Sequence, residues 1–594
     1  MADRLAILDY DRCQPRRCSL ECIKYCPGVR MGEETIVMDE DLGKPVISEE
    51  LCSGCGICVK RCPFEAITII GLPEELTEDK IVHSYGKNRF RLYGLIAPRE
   101  GVVGILGPNG VGKSTILNIL SGALIPNLND FNEEPNYDKV IKYFSGTELQ
   151  KYFEDLKNGN IKPVHKPQYI DVLPKVVKGT VGELLKKVDE KGLFNEIIDV
   201  LEIKNILNRT LDNLSGGELQ RVAIAAACLR EGDIYYFDEP SSWLDVRQRF
   251  NAAKVIRKIS EEEGKKVVAV EHDLIVLDYL SDYIHIMYGI PSAYGVVTHP
   301  RGTRVGINTY LNGFLREENI RFRKNPIVFE KRPPANYSNR PLLLEYSKVT
   351  KTLGEFKLSV EGGTIHRGEV MGILGPNGIG KTTFVKILAK IIKPDEGNVS
   401  SGDIKVSYKP QYISSDYDGT VRDLLMSITN INTSFYKSEI IKPLSLEKIM
   451  DFDVKDLSGG ELQRVAIAAC LSRDADIYLI DEPSAFLDVE QRLNVSRTIR
   501  RMADEKDAAM FVVDHDILFQ DYISDRYIVF SGEVGKIGKG SSPLDKRSGA
   551  NKFLKEMNIT FRRDPDTGRP RVNKEGSQRD LYQKEIGEYY YVDE

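Results

Sequence analysis

Two short stretches of the chain place a lysine and a hydroxyl residue directly after closely spaced glycines. They read Gly-Pro-Asn-Gly-Val-Gly-Lys-Ser at 107–114 and Gly-Pro-Asn-Gly-Ile-Gly-Lys-Thr at 375–382. Such glycines let backbone N–H groups cradle phosphates, the lysine reaches the β- and γ-phosphates, and the hydroxyl ligates Mg²⁺. Each phosphate loop is therefore predicted to bind a nucleotide, through Gly107, Asn109, Gly110, Gly112, Lys113, Ser114, Thr115, Gly375, Asn377, Gly378, Gly380, Lys381, Thr382 and Thr383.

Five further motifs follow each phosphate loop in the same order. They are Lys-Pro-Gln-Tyr-Ile with Gln168 or Gln411, Leu-Ser-Gly-Gly-Glu-Leu-Gln-Arg at 214–221 or 457–464, Asp-Glu-Pro at 238–240 or 481–483, Leu-Asp at 244–245 or 487–488, and an acidic-His-Asp triplet with His272 or His515. The spacings from the glutamine to the histidine are identical in the two copies. Chance does not produce such a match, so the chain is predicted to contain two duplicated ATPase domains.

Eight of the ten cysteines form two runs between residues 13 and 62. The second run has the ferredoxin spacing C-x2-C-x2-C-x3-C-P, and the first is wider. In proteins with two such runs, the fourth cysteine of each run ligates the other cluster. This rule predicts one [4Fe–4S] cluster on Cys13, Cys18, Cys22 and Cys62, and a second on Cys26, Cys52, Cys55 and Cys58.

Disulfides and structural zinc are the alternatives for these cysteines. Disulfides fit poorly in a chain whose N-terminus lacks a secretory signal. Four thiolates also suit zinc, but the two Cys-Pro endings favour iron–sulfur clusters. The other two cysteines, Cys228 and Cys470, lie in Ala-rich stretches and are predicted to be buried small residues.

The elements that position these residues can be predicted around each phosphate loop. An apolar strand, 102–106 or 370–374, precedes the loop, and a helix follows it. The first copy is longer by about 25 residues within 127–162, with helical patterning at 137–144 and 147–156. We predict a helix–loop–helix insertion here, which is either a contact surface or a solvated loop.

A second repeat follows each ATPase copy. Residues 314–323 match 553–562, and the surrounding segments 301–332 and 546–579 are rich in lysine and arginine. Basic segments on an acidic body suggest RNA phosphate binding or a hinge docked onto the acidic domains, and the two are compatible.

Composition limits the class of protein. The chain has 594 residues and a net charge of −6, so a globally basic nucleic-acid coat is excluded. It has no apolar run long enough to span a bilayer. We therefore expect a cytoplasmic α/β protein of about four domains, without membrane or DNA partners.

Taken together, the duplicated motifs resemble the ATP-binding cassette family. The resemblance implies a monomer whose two cassettes pair head to tail around two ATP molecules. One ATP would join the 107–114 loop to Ser458, Gly459 and Gly460, and the other would join the 375–382 loop to Ser215, Gly216 and Gly217.

The same resemblance assigns the remaining site residues. Asp238 and Asp481 would hold Mg²⁺ through water, with Ser114, Gln168, Thr382 and Gln411 as its ligands. Glu239 and Glu482 would orient or deprotonate the attacking water, and His272 and His515 would contact the γ-phosphate. Tyr85, Phe90 and Phe356 are candidates for stacking on adenine, although core packing explains them nearly as well.

The whole chain resembles the ribosome-recycling ATPases of subfamily E, also called RNase L inhibitors, of archaea and eukaryotes. The resemblance implies a ferredoxin-like domain (1–72), a first cassette (77–290), a first hinge segment (291–335), a second cassette (336–535) and a second hinge segment with the tail (536–594). It also implies that the protein splits ribosomes with a class I release factor or Pelota-like partner and then stays on the small subunit.

Four other functions were weighed against this one. A transporter ATPase would need membrane partners, a redox enzyme would need a second cofactor site, and an RNA-binding module would leave the ATPase motifs unused. A twin-cassette ATPase acting on another RNA–protein assembly is the main alternative.

Overall fold

The structure is a computed structural model that describes residues 4–10, 12–40, 42–49, 51–71, 76, 80–329, 340–400, 404–411 and 417–591. The domain boundaries predicted at 72, 77, 335 and 336 lie outside or at the edge of these ranges. By its contacts the chain divides into two units. The first comprises Met1–Pro240, Lys254–His272 and Leu280–Asn325, and the second comprises Ser241–Ala253, Asp273–Tyr279 and Pro326–Glu594. Each unit is described by itself.

The first unit begins with the cysteine-rich region. Strand Arg4–Leu8 pairs antiparallel with Ile67–Gly71, and Ile36–Asp39 forms a hairpin with Lys44–Ile47. Three short helices, Glu21–Lys24, Pro27–Arg30 and Ile57–Arg61, carry cysteines at or next to their ends. The aliphatic side chains of the strands and the buried cysteines form one small core.

The cysteine-rich region packs onto the first turn of the first cassette through Asn88. This residue has a positive φ of 57° and is 1% exposed. Its side chain accepts a hydrogen bond from the Ile47 N–H at 2.8 Å and donates one to the Ala6 carbonyl at 3.2 Å. Its own carbonyl accepts from the Leu8 N–H at 2.9 Å. Asn88 thus bridges both strand pairs of the cysteine-rich region.

The first cassette is built on a mixed sheet. Its central strands are buried on both faces, as expected for parallel strands covered by helices. In spatial order the described strands are Ile81–Ser84, Arg91–Tyr93, Tyr294–Val297, Tyr283–Ile290, Val102–Leu106, Lys266–Val270, Ile234–Asp238 and Pro163–Lys166, with Arg301–Gly302 beside Tyr283–Ile290. The helices are Lys113–Leu120, Tyr137–Tyr143, Glu148–Lys157, Leu173–Val176, Val181–Val188, Phe194–Val200, Gly216–Leu229, Val246–Glu261, Leu274–Leu280 and Thr303–Asn312.

The extra residues of the first copy include the helices Tyr137–Tyr143 and Glu148–Lys157. Phe153 is buried between them and stacks on Phe144 at 5.6 Å. The Tyr152 hydroxyl lies 2.7 Å from the hydroxyl of Tyr236 in the adjacent sheet strand. The inner face of this helix pair therefore belongs to the core of the cassette.

The second cassette repeats the same strand order. In the described residues the strands are Val349–Leu353, Phe356–Val360, Ile537–Gly540, Arg526–Glu533, Val370–Leu374, Ala509–Val513, Ile477–Asp481 and Val406–Lys409, with Leu544–Asp545 beside Arg526–Glu533 and a separate sheet of Gly363–His366, Leu342–Tyr346 and Val399–Ser400. The helices are Lys381–Leu388, Val421–Ile428, Ser434–Tyr436, Gly459–Ser472, Val489–Lys506 and Ile517–Ile523. The two strands predicted before the phosphate loops, 102–106 and 370–374, are both present with those bounds.

The basic repeats form compact additions to each unit. In the first unit the repeat contains the hairpin Phe314–Leu315 and Ile320–Arg321. In the second it contains the helices Lys546–Met557 and Gln578–Ile586 and a small sheet of Pro570–Val572, Phe561–Arg563 and Tyr590–Tyr591. Both repeats are thus folded additions to the cassettes.

Several arginines of these repeats are ion-paired inside the protein. Arg569 and Arg571 both pair with Asp278, and Arg563 pairs with Asp521. In the first unit Arg301 pairs with Glu318. These pairs favour hinge docking over RNA contact for the four arginines.

No helix of the described residues is long and apolar enough to cross a membrane.

Candidate active sites and cysteine cavities

Each phosphate loop connects the end of a buried strand to the start of a helix. The loop glycines Gly112 and Gly380 precede the helices with φ values of 91° and 96°, which favour glycine. A Cβ atom at Gly112 would lie 2.6 Å from the Phe90 ring, and one at Gly380 would lie 2.9 Å from the Phe356 ring. Glycine is therefore required by both backbone conformation and packing.

The loop lysines are buried and turned onto their own loops. Lys113 Nζ donates to the Gly107 and Pro108 carbonyls at 3.0 and 2.6 Å, and Lys381 Nζ donates to the equivalent carbonyls at 2.6 and 3.0 Å. Burial lowers the pKa of Lys381 to about 8, although nearby carboxylates oppose this shift. Both ammonium groups are thus held against the backbone of the phosphate loop.

The hydroxyl and aspartate predicted to serve Mg²⁺ meet in both cassettes. Thr382 Oγ1 donates to Asp481 Oδ2 at 2.7 Å, and Ser114 hydrogen-bonds Asp238. Burial raises the pKa of both aspartates, and these hydroxyl hydrogen bonds oppose it. A hydroxyl beside a carboxylate supplies the hard oxygen donors that Mg²⁺ prefers, so the residues fit this ion.

The predicted catalytic glutamates adopt the left-handed backbone conformation in both copies. Glu239 has φ 45° and Glu482 has φ 47°. Glu239 Oε1 accepts from Gln168 Nε2 at 2.8 Å, and Glu482 Oε1 accepts from Gln411 Nε2 at 2.7 Å. Each glutamine therefore keeps its carbonyl oxygen for other partners, including a cation.

The histidine of the triplet completes each group. His272 Nε2 lies 3.4 Å from Glu239 Oε1, and His515 Nε2 lies 3.5 Å from Glu482 Oε1. Burial alone would raise the pKa of Glu482, but the hydrogen bond and charge of His515, with Lys381, lower it to about 2. This carboxylate is thus ionised at neutral pH and suited to orienting water.

The signature serines cap their helices. Ser215 Oγ accepts from the Glu218 N–H, and Ser458 Oγ accepts from the Glu461 N–H, each in a reciprocal capping box. Both serines and the following Gly216 and Gly459 are exposed. Their hydroxyls and N–H groups are therefore open to a ligand, and each serine contacts the glutamate of its own helix.

In the second unit, the Leu-Asp motif of the first copy touches the phosphate loop of the second. Asp245 Oδ2 accepts a hydrogen bond from the Asn377 N–H at 3.1 Å. Beside it, the rings of Trp243 and Phe486 meet edge to face at 5.1 Å. Both aromatic residues have positive φ values of 67° and 63°. The sequence offered no sign of this aromatic pair.

The three adenine candidates lie close to the phosphate loops. Phe90 and Phe356 pack at equivalent places beneath Gly112 and Gly380. Tyr85 is 47% exposed, and its hydroxyl lies 3.0 Å from Thr115 Oγ1. A role in adenine stacking stays a prediction for all three residues.

The eight clustered cysteines line two cavities. One is lined by Cys26, Cys52, Cys55 and Cys58, and the other by Cys13, Cys18, Cys22 and Cys62. These are the two sets predicted from the spacing. All ten cysteines are free thiols, and Cys228 and Cys470 are buried as predicted.

The chemistry of the cavities fits an iron–sulfur cluster. Burial raises the pKa of Cys13 and Cys58 to about 11, so their thiolates need a strong positive charge nearby. A cluster spans more space than one ion bound at ~2.3 Å, so ligands spread around a cavity suit it.

Two pairs of buried residues were missed by the sequence analysis. Lys166 and Lys409 are 2% and 1% exposed, and Gln220 and Gln463 are each 1% exposed. All four donate to backbone carbonyls of, or next to, the predicted catalytic glutamates. The signal was present, because each residue stands at the same motif position in both copies.

Family profiles match the cysteine-rich region and parts of both cassettes. The family profile described as "ABC transporter" matches residues 94–242 and 361–485. A "possible Fer4-like domain in RNase L inhibitor, RLI" matches 3–34, and a "4Fe-4S binding domain" matches 45–68.

One relative and two solved structures illustrate the similarity. An uncharacterized ABC transporter ATP-binding protein of Methanocaldococcus jannaschii is 76% identical over 100% of this chain and 98% of its own length. A model of ribosome-bound archaeal Pelota and ABCE1 contains a chain that is 56% identical, with a TM-score of 0.91 and 99% of both chains covered. An archaeal ribosome recycling factor, aABCE1, crystallised with the stalk protein aP1, is 57% identical, with a TM-score of 0.83, covering 87% of this chain and 100% of its own.

These matches confirm the predicted fold class, with two ABC-type ATPase domains behind an N-terminal ferredoxin-like region. They also support ATP hydrolysis and iron–sulfur binding.

Proposed function

Since the chain belongs to the RNase L inhibitor family, subfamily E of the ATP-binding cassette proteins, we propose that it is an ATP-driven ribosome-recycling factor. It splits ribosomes into subunits after termination or stalling. The observation that carries this proposal is the similarity over 99% of the chain to an ABCE1 described on the ribosome with Pelota. An RNA-binding module is disfavoured because both hydrolysis sites carry their full set of residues.

We further propose a role in ATP hydrolysis for each group of site residues. Lys113 and Lys381 bind the phosphates, and Glu239 and Glu482 orient the attacking water. The hydrogen bonds from Gln168 and Gln411 hold these carboxylates in place. Mg²⁺ would be held by the loop hydroxyl, the glutamine carbonyl and, through water, the aspartate, and it would neutralise charge on the phosphates.

The cysteine cavities hold two [4Fe–4S] clusters in this proposal. The two sets of four thiols, each around its own cavity, support that number. The protein is otherwise assigned a cytoplasmic location, a release factor or Pelota-like partner, and residence on the small subunit after splitting. The predicted domain boundaries and the pairing of the cassettes stay predictions.

The test is a sucrose-gradient assay with archaeal ribosomes, a Pelota-like or release factor and this protein. With ATP we expect conversion to free subunits and this protein on the small-subunit peak, and with ADP we expect neither. The Glu239→Gln and Glu482→Gln double variant should bind ATP, lose turnover and remain on the small subunit. Intact ribosomes despite measurable ATPase activity would instead indicate a twin-cassette ATPase acting on another RNA–protein assembly.

A further inference from the structure

Two buried lysines lie beside the catalytic glutamates, and the reaction scheme above does not use them. Lys166 is the last residue of the strand Pro163–Lys166, and Lys409 is the last residue of Val406–Lys409. Each strand pairs in parallel with the strand that ends in the Mg²⁺ aspartate, Asp238 or Asp481. Each side chain therefore leaves its strand next to the end of the neighbouring strand.

Each ammonium group hydrogen-bonds to the backbone carbonyls on both sides of the glutamate Cα atom. Lys166 Nζ donates to the Asp238 carbonyl at 2.8 Å and lies 3.5 Å from the Glu239 carbonyl. Lys409 Nζ donates to the equivalent carbonyls at 2.6 and 3.2 Å. Two carbonyls bound to one nitrogen fix the orientation of both peptide planes around the glutamate.

The glutamate backbone needs such a restraint. A glutamate with positive φ is in a strained conformation for an L-residue, and it persists only where its surroundings impose it. Glu239 and Glu482 are both in this region. A second restraint comes from the helix Gly216–Leu229, where Gln220 Nε2 donates to the Glu239 carbonyl at 2.8 Å.

The same lysine also anchors the glutamine that binds the glutamate side chain. Only Pro167 separates Lys166 from Gln168, and only Pro410 separates Lys409 from Gln411. Proline has a fixed φ, so the position of the lysine limits where the glutamine can lie. The main chain and the side chain of each glutamate are thus both hydrogen-bonded to one three-residue Lys-Pro-Gln segment.

We propose that Lys166 and Lys409 are positioning residues for ATP hydrolysis, which hold the catalytic glutamates in their strained, productive orientation through the two strand-end carbonyls. The charge is needed in addition to the shape of the side chain. A buried ammonium makes stronger hydrogen bonds to carbonyls than a neutral group does, and here it also lies beside the acidic residues of the site. This inference rests on the catalytic role proposed for Glu239 and Glu482.

The first experiment compares lysine variants with matched controls. In the double variant Lys166→Met and Lys409→Met, methionine keeps the length of the side chain and removes the ammonium group. We expect kcat for ATP hydrolysis to fall at least tenfold while the Kd for ATP stays within twofold. An unchanged kcat in a folded, ATP-binding protein would overturn the proposal.

The chain offers a control in each cassette. Lys191 pairs with Glu263 at 2.6 Å, and Lys506 donates to the Leu471 carbonyl at 2.7 Å. Both ammonium groups lie over equivalent tyrosines, Tyr235 and Tyr478. Lys191→Met with Lys506→Met removes two partly or largely buried ammonium groups away from the glutamates, and kcat should stay within twofold. A loss equal to that of the first pair would assign both effects to general destabilisation.

A second experiment tests whether the lysines act through the glutamates. In a Glu239→Gln and Glu482→Gln background, adding Lys166→Met and Lys409→Met should not slow single-turnover hydrolysis further. A further tenfold loss would show an independent role and overturn the proposal. If the methionine variant does not fold, Lys166→Gln with Lys409→Gln takes its place with the same criteria, because its shorter amide cannot span both carbonyls. If the glutamine substitutions themselves leave turnover at the wild-type rate, the proposed catalytic assignment is what fails.

Discussion

At the scale of single residues, the same strained backbone conformation occurs at the predicted catalytic glutamate of both cassettes. The same glutamate, with the same positive φ and the same glutamine partner, occurs in both copies. Backbone strain that recurs at equivalent positions is a feature of the site, since an accident of packing would differ between the copies. We therefore expect both sites to hydrolyse ATP.

The cysteine assignment leads to a prediction about iron content. Cys58→Ala removes a thiol that lines one cavity, and we expect iron to fall from about eight to about four atoms per chain. Cys228→Ala, which also removes a buried thiol but lies in the helix Gly216–Leu229, should keep all the iron. Metal analysis of both variants checks this. Full iron in Cys58→Ala, or zinc in place of iron, contradicts the assignment.

At the residue scale, the structure brings together side chains that the sequence analysis had grouped. Thr382 hydrogen-bonds Asp481, and the eight clustered cysteines line two cavities in the predicted sets of four. The roles of these residues stay predictions. Lys166 and Lys409 were missed because a lysine in a strand is usually a surface residue. Their recurrence in both copies marked them, but the sequence does not show that their hydrogen-bond acceptors are backbone carbonyls.

At the scale of elements, the hairpin turn at Asn88 attaches the cysteine-rich region to the first cassette through hydrogen bonds. Asn88→Gly keeps the positive φ but removes both side-chain hydrogen bonds, to Ile47 and Ala6. We expect the Ile47 amide to exchange with solvent at least tenfold faster. Asn88→Asp keeps the acceptor for this amide and should protect it better than glycine does. Equal protection in all three proteins would show that the turn does not restrain the cysteine-rich region.

The strand Tyr283–Ile290 contains a buried histidine that predicts acid sensitivity. Burial lowers the pKa of His285 to about 4, while its Nδ1 lies 2.8 Å from the Thr298 carbonyl. The folded pKa is below the unfolded value of ~6.5, so the neutral ring contributes its full stability above pH 6.5. That contribution is lost as the pH falls from 6.5 towards 4, and it amounts to at most about 3 kcal/mol.

Urea unfolding at several pH values tests this contribution. His285→Gln should lose less stability than the wild type between pH 6.5 and 4, because its amide does not titrate. His299→Gln, at an exposed position, should follow the wild type. The same pH slope in all three proteins would contradict the prediction.

Elements next to a motif or with a clear periodic pattern could be predicted, such as the helices Tyr137–Tyr143 and Glu148–Lys157, whereas very short strands could not. The strands 102–106 and 370–374 were predicted because an apolar run before a phosphate loop has one interpretation. The small sheet of Pro570–Val572, Phe561–Arg563 and Tyr590–Tyr591 carries no such pattern. Its strands are two or three residues long and its partners are set by tertiary packing.

At the scale of the whole molecule, buried ion pairs hold the basic repeat of the second unit in place. Asp278 is 3% exposed at its side chain and binds Arg569 and Arg571, which lie about 290 residues further along the chain. Net charge along the sequence suggested either RNA binding or a hinge docked onto the acidic domains, and only the fold reveals that Asp278 binds these arginines. Such long-range pairs are not visible in local patterns.

Removing this carboxylate should be strongly destabilising. Asp278→Asn removes the carboxylate that both guanidinium groups share, while Arg571 keeps its longer contact with Asp564 at 3.5 Å. We expect a loss of about 3–5 kcal/mol in the free energy of unfolding, because buried cations then lose their nearest carboxylate. Asp474→Asn removes the partner of Lys405 in a fully exposed pair and should lower the free energy of unfolding far less, because water screens such a pair. Thermal unfolding compares the two. Similar values would mean that the buried pair contributes no more than a surface one.

The edge-to-face contact of Trp243 with Phe486 has a practical consequence. The chain contains one tryptophan, so its indole emission comes from this single place. The ring is 42% exposed and lies two residues from Asp245, which touches the second phosphate loop. Indole emission shifts in wavelength and intensity with the polarity of its surroundings and with neighbouring rings. The protein therefore carries its own optical reporter, and rapid-mixing spectroscopy can follow a nucleotide cycle in the unlabelled, native chain.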